Sequence, residues 1–281
     1  MKFTNANSFK AKIKQIAKDK GIPAQQVQQT YLIEQVLRLI AQSSYQHQFI
    51  VKGGFLIGHL LGIDKRTTMD LDMTLKGAPL SETYLLTVFE EILNQTSDGF
   101  QFEIDRLEPI RKEDRYGGYS LKLNATYGPL REVVFIDFTT GDETTPEAIE
   151  LRLTSAFSDE AIEVMSYNLE TILAEKLETI ISRGEASTRP RDRYDLYTLY
   201  HMKYNQLDFS LLKQALENTC RRRGTLEFLK SWKEQVGSIV KSNYQKELWN
   251  KYQSQFAYAR EIAFEDSVSI VFEVMEQLDN S

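Results

Sequence analysis

Hydrophobic residues recur at helical spacing after Pro23, and this pattern predicts a helix over residues 23–43. An apolar triplet at 49–51 predicts a short strand, which runs into two glycines and then into a helix-like segment from Phe55. Residues 81–95 have the pattern of a capped helix. Alternating or apolar segments predict further strands at 69–75, 100–107, 118–125 and 132–139. The first half of the chain is therefore predicted to be α/β.

The pattern changes after a polar, proline-containing loop at 139–148, and helical periodicity dominates from residue 168 to the end. The predicted helices are 168–182, 191–203, 208–220, 225–236, 243–260 and 266–278. We place a domain boundary near residue 158, between these two patterns. The sequence thus predicts an α/β domain over 1–158 and a helical domain over 159–281.

The composition is that of a globular protein, since 42% of the 281 residues are hydrophobic and 26% are charged. No segment approaches the ~20 apolar residues of a membrane span, and the start of the chain is too polar for a secretion signal. We therefore expect a cytoplasmic protein with no membrane partner. The single cysteine, Cys220, excludes an intramolecular disulfide and a cysteine-based zinc cluster.

Acidic residues outnumber basic residues, 40 against 34, which gives a net charge of −6. A protein that binds nucleic acid over its whole surface would be basic, so any such binding must be local. Each basic cluster taken alone is more typical of a solvated patch. The clusters are Arg111, Lys112 and Arg115, then Arg183, Arg189, Arg191 and Arg193, and finally Arg221, Arg222 and Arg223.

Asp70 and Asp72 lie two residues apart in the predicted strand MDLDMTL, so both carboxylates should lie on one face of the strand. Two like charges held close together are costly unless a cation neutralises them, and Mg²⁺ prefers carboxylate oxygen ligands. The pair alone is also typical of an edge strand with a solvated acidic face. The residues around the pair favour a metal site.

Lys52, Gly53 and Gly54 occupy the predicted turn from strand to helix upstream of this pair. Backbone N–H groups and the positive end of a helix at such a turn can bind phosphate, although a simple turn would also use glycines. A cation and two hydroxyl groups lie just before the first aspartate, where they could bind a polyphosphate or the coordination shell of a metal ion. These residues are Arg66, Thr67 and Thr68.

Asp137 interrupts an otherwise apolar segment, VVFIDF at 133–138, which predicts a central, buried strand. A carboxylate in such a strand is costly unless it binds a metal or has a buried partner such as an arginine. A third acid beside an aspartate pair is what two-metal phosphoryl transfer requires. This pattern favours a functional role for Asp137.

Lys176 lies within the apolar stripe of the predicted helix 168–182, where a solvated lysine is not expected. Three roles are open to it. In the first, its ammonium group extends to solvent, and in the second it pairs with Glu175 or Glu178. In the third, the lysine faces a cleft and contacts a triphosphate as a point charge.

Asp192 and Asp195 are one helical turn apart in the segment RDRYDLY. Asp192 lies in the first turn of its predicted helix, where a carboxylate stabilises the helix start. Asp195 lies deeper in the helix and has no such explanation. Its candidate partners are Lys176, Arg66 and Arg191.

In this combination and order, the motifs resemble the AbiEii/AbiGii toxin family, the nucleotidyltransferase-like toxins of type IV toxin–antitoxin and abortive-infection systems within the polymerase-β-type superfamily. The motifs span roughly residues 50–200 and are KGG at 52–54, RTTMDLD at 66–72, the strand with Asp137, AEKLETIISR at 174–183 and RDRYDLY at 191–197. The resemblance implies an α/β (α+β) fold, with a polymerase-β-type nucleotidyltransferase core built on a mixed sheet and followed by a helical C-terminal domain.

The residue patterns and the resemblance together assign roles to particular residues. The candidate catalytic residues are Asp70, Asp72, Asp137, Lys176, Asp192 and Asp195, of which Asp70, Asp72 and Asp137 are candidate metal ligands. The candidate nucleotide-binding residues are Lys52, Gly53, Gly54, Arg66, Thr67 and Thr68. Either Asp192 or Asp195 matches the late aspartate of the family.

The resemblance implies a Mg²⁺-dependent nucleotidyltransferase toxin that transfers a nucleotide from NTP to the 3′ end of tRNA, blocks translation and serves antiviral defence. Its expected partners are NTP, acceptor RNA held by the basic loop 183–193, and a cognate antitoxin. One alternative is transfer to a protein hydroxyl, including one on the toxin itself. Another is a catalytically silent module that binds nucleotide or antitoxin.

Overall fold

The computed structural model describes residues 3–110, 117–140, 144–155, 157–158 and 160–280. Contacts divide the chain into two compact units. The first unit comprises Met1–Gly141 and Ile149–Ser166, and the second comprises Asp142–Ala148 and Tyr167–Ser281. The basic cluster of Arg111, Lys112 and Arg115 lies outside the described residues.

The described strands of the first unit form one seven-stranded mixed sheet, which confirms the expected fold class. The strands are β1 (Phe49–Lys52), β2 (Asp70–Leu75), β3 (Gln101–Ile110), β4 (Gly118–Tyr127), β5 (Leu130–Thr139), β6 (Ile149–Thr154) and β7 (Ala161–Ser166). Their order across the sheet is β3-β4-β5-β2-β1-β7-β6. Strand β1 is parallel to β7 and β2 is parallel to β5, whereas the other neighbours are antiparallel.

The sequence pattern did not predict β6 and β7. Strand β6 lies at the edge of the sheet, and among its residues only Leu153 is buried. An edge strand with one buried side chain has almost no hydrophobic alternation, so periodicity cannot identify it. Strand β7 pairs with both β6 and β1, and the first unit therefore extends past the proposed boundary at residue 158.

Helices pack against this sheet and bury its apolar side chains. The described helices of the first unit are α1 (Ala6–Lys20), α2 (Ala24–Ala41), α3 (Gly53–Leu61) and α4 (Glu82–Ile92). Phe89 of α4 contacts Phe49 and Phe138 of the sheet, with ring centroids 5.5 and 5.3 Å from its own. Helix α1 was not predicted, although its buried residues Phe9 and Ile13 lie four apart on one face.

The described part of the second unit is helical, as expected. Its helices are α5 (Leu169–Arg183), α6 (Pro190–Lys203), α7 (Phe209–Arg223), α8 (Leu226–Lys230), α9 (Trp232–Lys241), α10 (Asn243–Gln255) and α11 (Phe264–Asp279). The single helix predicted over 225–236 is divided at Ser231, whose hydroxyl donates to the carbonyl of Glu227 and whose backbone is not helical. None of the helices described is both long enough and apolar enough to cross a membrane.

Candidate functional site

The turn between β1 and α3 is shaped around the carboxylate of Asp72. Lys52, the last residue of β1, pairs in register with Asp72 of β2, so the sheet brings these two motifs together. Gly53 has a φ of +67°, and a Cβ at this position would lie 2.0 Å from Oδ2 of Asp72. Both the left-handed backbone and the close approach of Asp72 therefore require glycine here.

Gly54 makes a similar close approach to the segment that precedes the aspartates. A Cβ on Gly54 would lie 2.9 Å from Oγ1 of Thr68 and 3.0 Å from Nη2 of Arg66. Arg66 is buried and donates from Nη1 to the carbonyl oxygen of Thr67. Thr67 is also buried, and its hydroxyl has no hydrogen-bond partner among the described residues. The structure thus gathers Gly54, Arg66 and Thr68 at one turn, with Thr68 half-buried.

Three candidate carboxylates lie on one face of the sheet. Asp70 and Asp72 point away from Leu71 and Met73, which are fully buried on the opposite face of β2. Asp72 is in register with Asp137 on the parallel neighbour β5, so their side chains share a face. Strand β5 is internal to the sheet, as predicted. Asp137 is half-buried rather than buried, because only alternate residues of this strand face the core.

Lys52 lies on the same face as these carboxylates, since it is the register partner of Asp72. It is only 8% exposed, and Nζ donates a hydrogen bond of 2.7 Å to Oγ1 of Thr139. That oxygen lies 3.5 Å from Oγ1 of Thr74 on the adjacent strand. A buried ammonium group beside a carboxylate row reduces the repulsion between the acids.

The three carboxylates offer an open set of ligands to a metal ion. Among the residues that the structure describes, no three Asp, Glu, His or Cys side chains lie close enough together to bind a metal. The carboxylates of Asp70, Asp72 and Asp137 therefore do not form a closed cage. They fit the mode in which Mg²⁺ is held by one or two carboxylates together with substrate phosphates. Metal ligation by these residues stays a prediction.

A pocket of about 130 Å³ lies beside the same turn, within the first unit. Gly54, Gly58 and Gly62 line it at four-residue spacing. Polar residues that the sequence analysis did not identify also line it, and they are Lys20, Thr30, Glu34 and His59. Lys20, Thr30 and Glu34 come from α1 and α2, far from the motifs in sequence. The regular glycine spacing is the one local signal that points to this pocket.

The second unit places Lys176 of α5 against two aspartates of α6. Nζ lies 2.7 Å from Oδ1 of Asp192 and 2.8 Å from Oδ2 of Asp195. The lysine side chain is 13% exposed, and the aspartate side chains are 2% and 0% exposed. Both aspartates contact the lysine, so the structure does not single out either one.

The remaining charges around this cluster are also paired. Arg189 places Nε 3.1 Å from Oδ2 of Asp192, so two cations lie against the aspartate pair. This arrangement offsets the cost of burying two carboxylates. Glu175 and Glu178, the other candidate partners of Lys176, bind Arg223 of α7.

The basic loop at 183–193 is exposed only in part, and its contact with RNA stays a prediction. Arg183 and Arg191 are exposed, whereas Arg193 is only 2% exposed and Arg189 pairs with Asp192. Charge alone does not separate these arginines in the sequence. Burial distinguishes them, because Arg193 lies on the inner face of α6.

Two crystal structures from Helicobacter pylori are similar to this chain. One is of a candidate nucleotidyltransferase, with a TM-score of 0.51 and 14% identity, and the alignment covers 92% of this chain and 98% of that one. At this identity the likeness shows the fold alone. The other is of JHP933, with a TM-score of 0.49 and 14% identity over 91% of this chain and 94% of that one.

A search of curated proteins found no match to this chain. Residues 35–269 match the family described as nucleotidyl transferase AbiEii toxin of type IV toxin–antitoxin systems. The matched region includes both clusters described above and well over half of the chain. The resemblance inferred from the motifs is confirmed, and the chain belongs to the AbiEii family of nucleotidyl transferase toxins.

Proposed function

We propose that this protein is a Mg²⁺-dependent nucleotidyltransferase toxin that transfers a nucleotide from NTP to the 3′ end of tRNA and thereby blocks translation. Membership of the family supports nucleotide transfer by a type IV toxin. The observation that carries the proposal is the close approach of Gly53 to Asp72, where a Cβ would lie 2.0 Å from Oδ2. Such a turn lets backbone N–H groups and a carboxylate meet a metal-bound phosphate together.

In the proposed reaction, an acceptor hydroxyl attacks the α-phosphate of NTP in line. The new bond joins the acceptor oxygen to this phosphorus, the bond to the β-phosphate oxygen breaks, pyrophosphate leaves, and the hydroxyl proton passes to solvent. Mg²⁺, when bound, would neutralise phosphate charge and favour loss of the hydroxyl proton. Asp70 and Asp72 would hold it, with Asp137 as a third carboxylate on the same face. Gly53, at the start of α3, would bring backbone close to the triphosphate.

Lys176 is proposed to stabilise negative charge on the pyrophosphate side. Asp192 and Asp195 restrict the orientation of this lysine, because each lies within 2.8 Å of Nζ. In this proposal both aspartates act through the lysine, and they are positioning residues. Arg66 supports the turn at Gly54 from a buried position.

The proposed partners are tRNA and a cognate antitoxin. The exposed residues Arg183 and Arg191 are suited to contact RNA phosphates, which would be a local interaction given the net charge of −6. The antitoxin follows from the type IV system to which the family is assigned.

The experiment incubates the protein with Mg²⁺, each α-³²P-labelled NTP in turn and total bacterial RNA, and resolves the products on a denaturing gel. Asp72→Ala is compared with Asp105→Ala, a control on β3 of the same sheet that pairs with Lys122 at 3.0 Å. We expect a labelled tRNA-sized band with the wild type and the control, and none with Asp72→Ala.

Other outcomes favour the alternatives. Label in protein and not in RNA would show that the same site transfers the nucleotide to a protein acceptor. NTP binding without release of pyrophosphate would show a silent binding module. Either result would overturn the assignment of tRNA as the acceptor.

A further inference from the structure

Gln245 of α10 contacts the turn that leads into α6, the helix of Asp192 and Asp195. Its side chain is fully buried. Nε2 donates to the carbonyl oxygen of Glu185 at 2.7 Å and to that of Ser187 at 2.6 Å. One amide group therefore binds two carbonyl groups of the turn between α5 and α6.

Arg193 connects Gln245 to α6 itself. Nη1 donates a hydrogen bond of 2.7 Å to Oε1 of Gln245. The guanidinium carbon lies 5.5 Å from the ring centres of Trp249 in α10 and Phe264 in α11. Nε and Nη2 have no hydrogen-bond partner within the described part of the chain, so the two rings supply much of the environment of this cation.

Arg193 remains a cation at neutral pH in spite of this burial. Burial lowers the pKa of its guanidinium group to about 10, and the negative charge of Asp192 opposes that change. Arg193 is thus a buried positive charge next in sequence to an aspartate that contacts Lys176. A movement of Arg193 would also move the first turn of α6.

We propose that Gln245 is a positioning residue for Lys176, a role that rests on the proposed function of this lysine in transfer. The Gln245 amide holds the 184–187 turn on one side and Arg193 on the other, so the start of α6 is fixed from both directions. An amide suits this position because it is neutral and both donates and accepts hydrogen bonds. This proposal gives α10 and α11 a role in the Lys176 cluster.

The test replaces Gln245 by glutamate, which has the same size and still accepts from Arg193 but cannot donate to the two carbonyl groups. The rate at which acetic anhydride acetylates Lys176 is measured by mass spectrometry of its peptide. Gln253→Glu is the matched control on the same helix. Its Nε2 donates to the carbonyl oxygens of Ala259, Arg260 and Ile262 at 3.2, 3.2 and 2.9 Å.

We expect the acetylation rate of Lys176 to rise about tenfold in Gln245→Glu and to stay within about twofold of the wild type in Gln253→Glu. In the transfer assay, kcat of Gln245→Glu should fall about tenfold while KM for NTP changes less than about twofold. Equal acetylation rates in the two variants would overturn the positioning role. A wild type that transfers no nucleotide would overturn only the proposed function, because acetylation is measured without NTP.

Native-state hydrogen exchange of the wild type decides the question if Gln245→Glu does not fold. The hydrogen-bonded backbone amides in the second turns of α6 and α10 are expected to become exposed in one common opening as denaturant is raised. Separate openings of these two turns would overturn the proposal.

Discussion

Replacing Gly53 by alanine places a methyl group in the space that Asp72 occupies. Its Cβ would lie 2.0 Å from Oδ2, 2.6 Å from Cγ and 2.8 Å from Cβ of Asp72, so rotation of the carboxylate alone cannot relieve the overlap. Gly21, which ends α1, offers a matched control. Its φ is +65° against +67° for Gly53, and nothing lies within 4 Å of its Cβ position.

The two substitutions share one energetic cost and differ in another. Each forces alanine into the left-handed region, which costs about 1–2 kcal/mol. Only Gly53→Ala must also displace Asp72, and overpacking of this kind costs typically about 1–3 kcal/mol. We therefore expect the free energy of unfolding to fall by about 1–2 kcal/mol in Gly21→Ala and by about 2–5 kcal/mol in Gly53→Ala.

Urea unfolding followed by circular dichroism measures both values, and the labelled-NTP assay measures transfer. Gly53→Ala is expected to lose about 100-fold in transfer, because a displacement of about 1 Å at a reacting group has an effect of this size. Gly21→Ala should retain full activity. Equal destabilisation of the two variants would refute the packing argument. A folded and fully active Gly53→Ala would refute the placement of Asp72 in the reaction.

Further predictions concern three other residues. Asp70→Asn should abolish transfer while the protein stays folded, because asparagine has nearly the same shape but supplies no carboxylate to a metal; a folded, active variant on the gel assay would contradict this. Lys176→Met should lower the free energy of unfolding in urea by about 3–5 kcal/mol, since it leaves Asp192 and Asp195 buried without their lysine, and an unchanged value would refute the coupling. Burial raises the pKa of the Cys220 thiol from 9.0 to about 11, so it contributes stability below pH 9 that is lost as pH rises through 11. Its reaction with a disulfide reagent at pH 8 should be slow in the folded protein and fast in urea, and rapid reaction of the folded protein would refute its burial.

The sequence was sufficient to identify the family and the α/β class. The chemistry of nucleotide transfer requires particular residue types at particular spacings. The motifs KGG, RTTMDLD and RDRYDLY therefore indicate the family even without a structure. The shared face of Asp70 and Asp72 follows from strand alternation, which is a local property of the backbone. Most helices of the second unit were predicted for the same reason, since their apolar faces repeat at helical spacing.

Only the tertiary structure decided which partners the charged residues take. From sequence, the candidate partners of Lys176 were Glu175, Glu178 and Asp195, and the structure selects Asp195 of the next helix together with Asp192. In the same way, Arg193 belongs to a basic run in sequence but is buried between aromatic rings of two later helices. Helix packing makes these choices, and it depends on residues far apart in the chain.

In the first unit, strand register likewise determined which residues become partners. The pairing of Lys52 with Asp72, and of Asp72 with Asp137, joins segments separated by many residues, and it explains why Gly53 must be glycine. Hydrophobic periodicity reports which face of an element is buried, but it contains no information on which strands become neighbours. The sequence by itself therefore determined the residue types of the candidate site and its local elements. Long-range packing determined which of those residues meet.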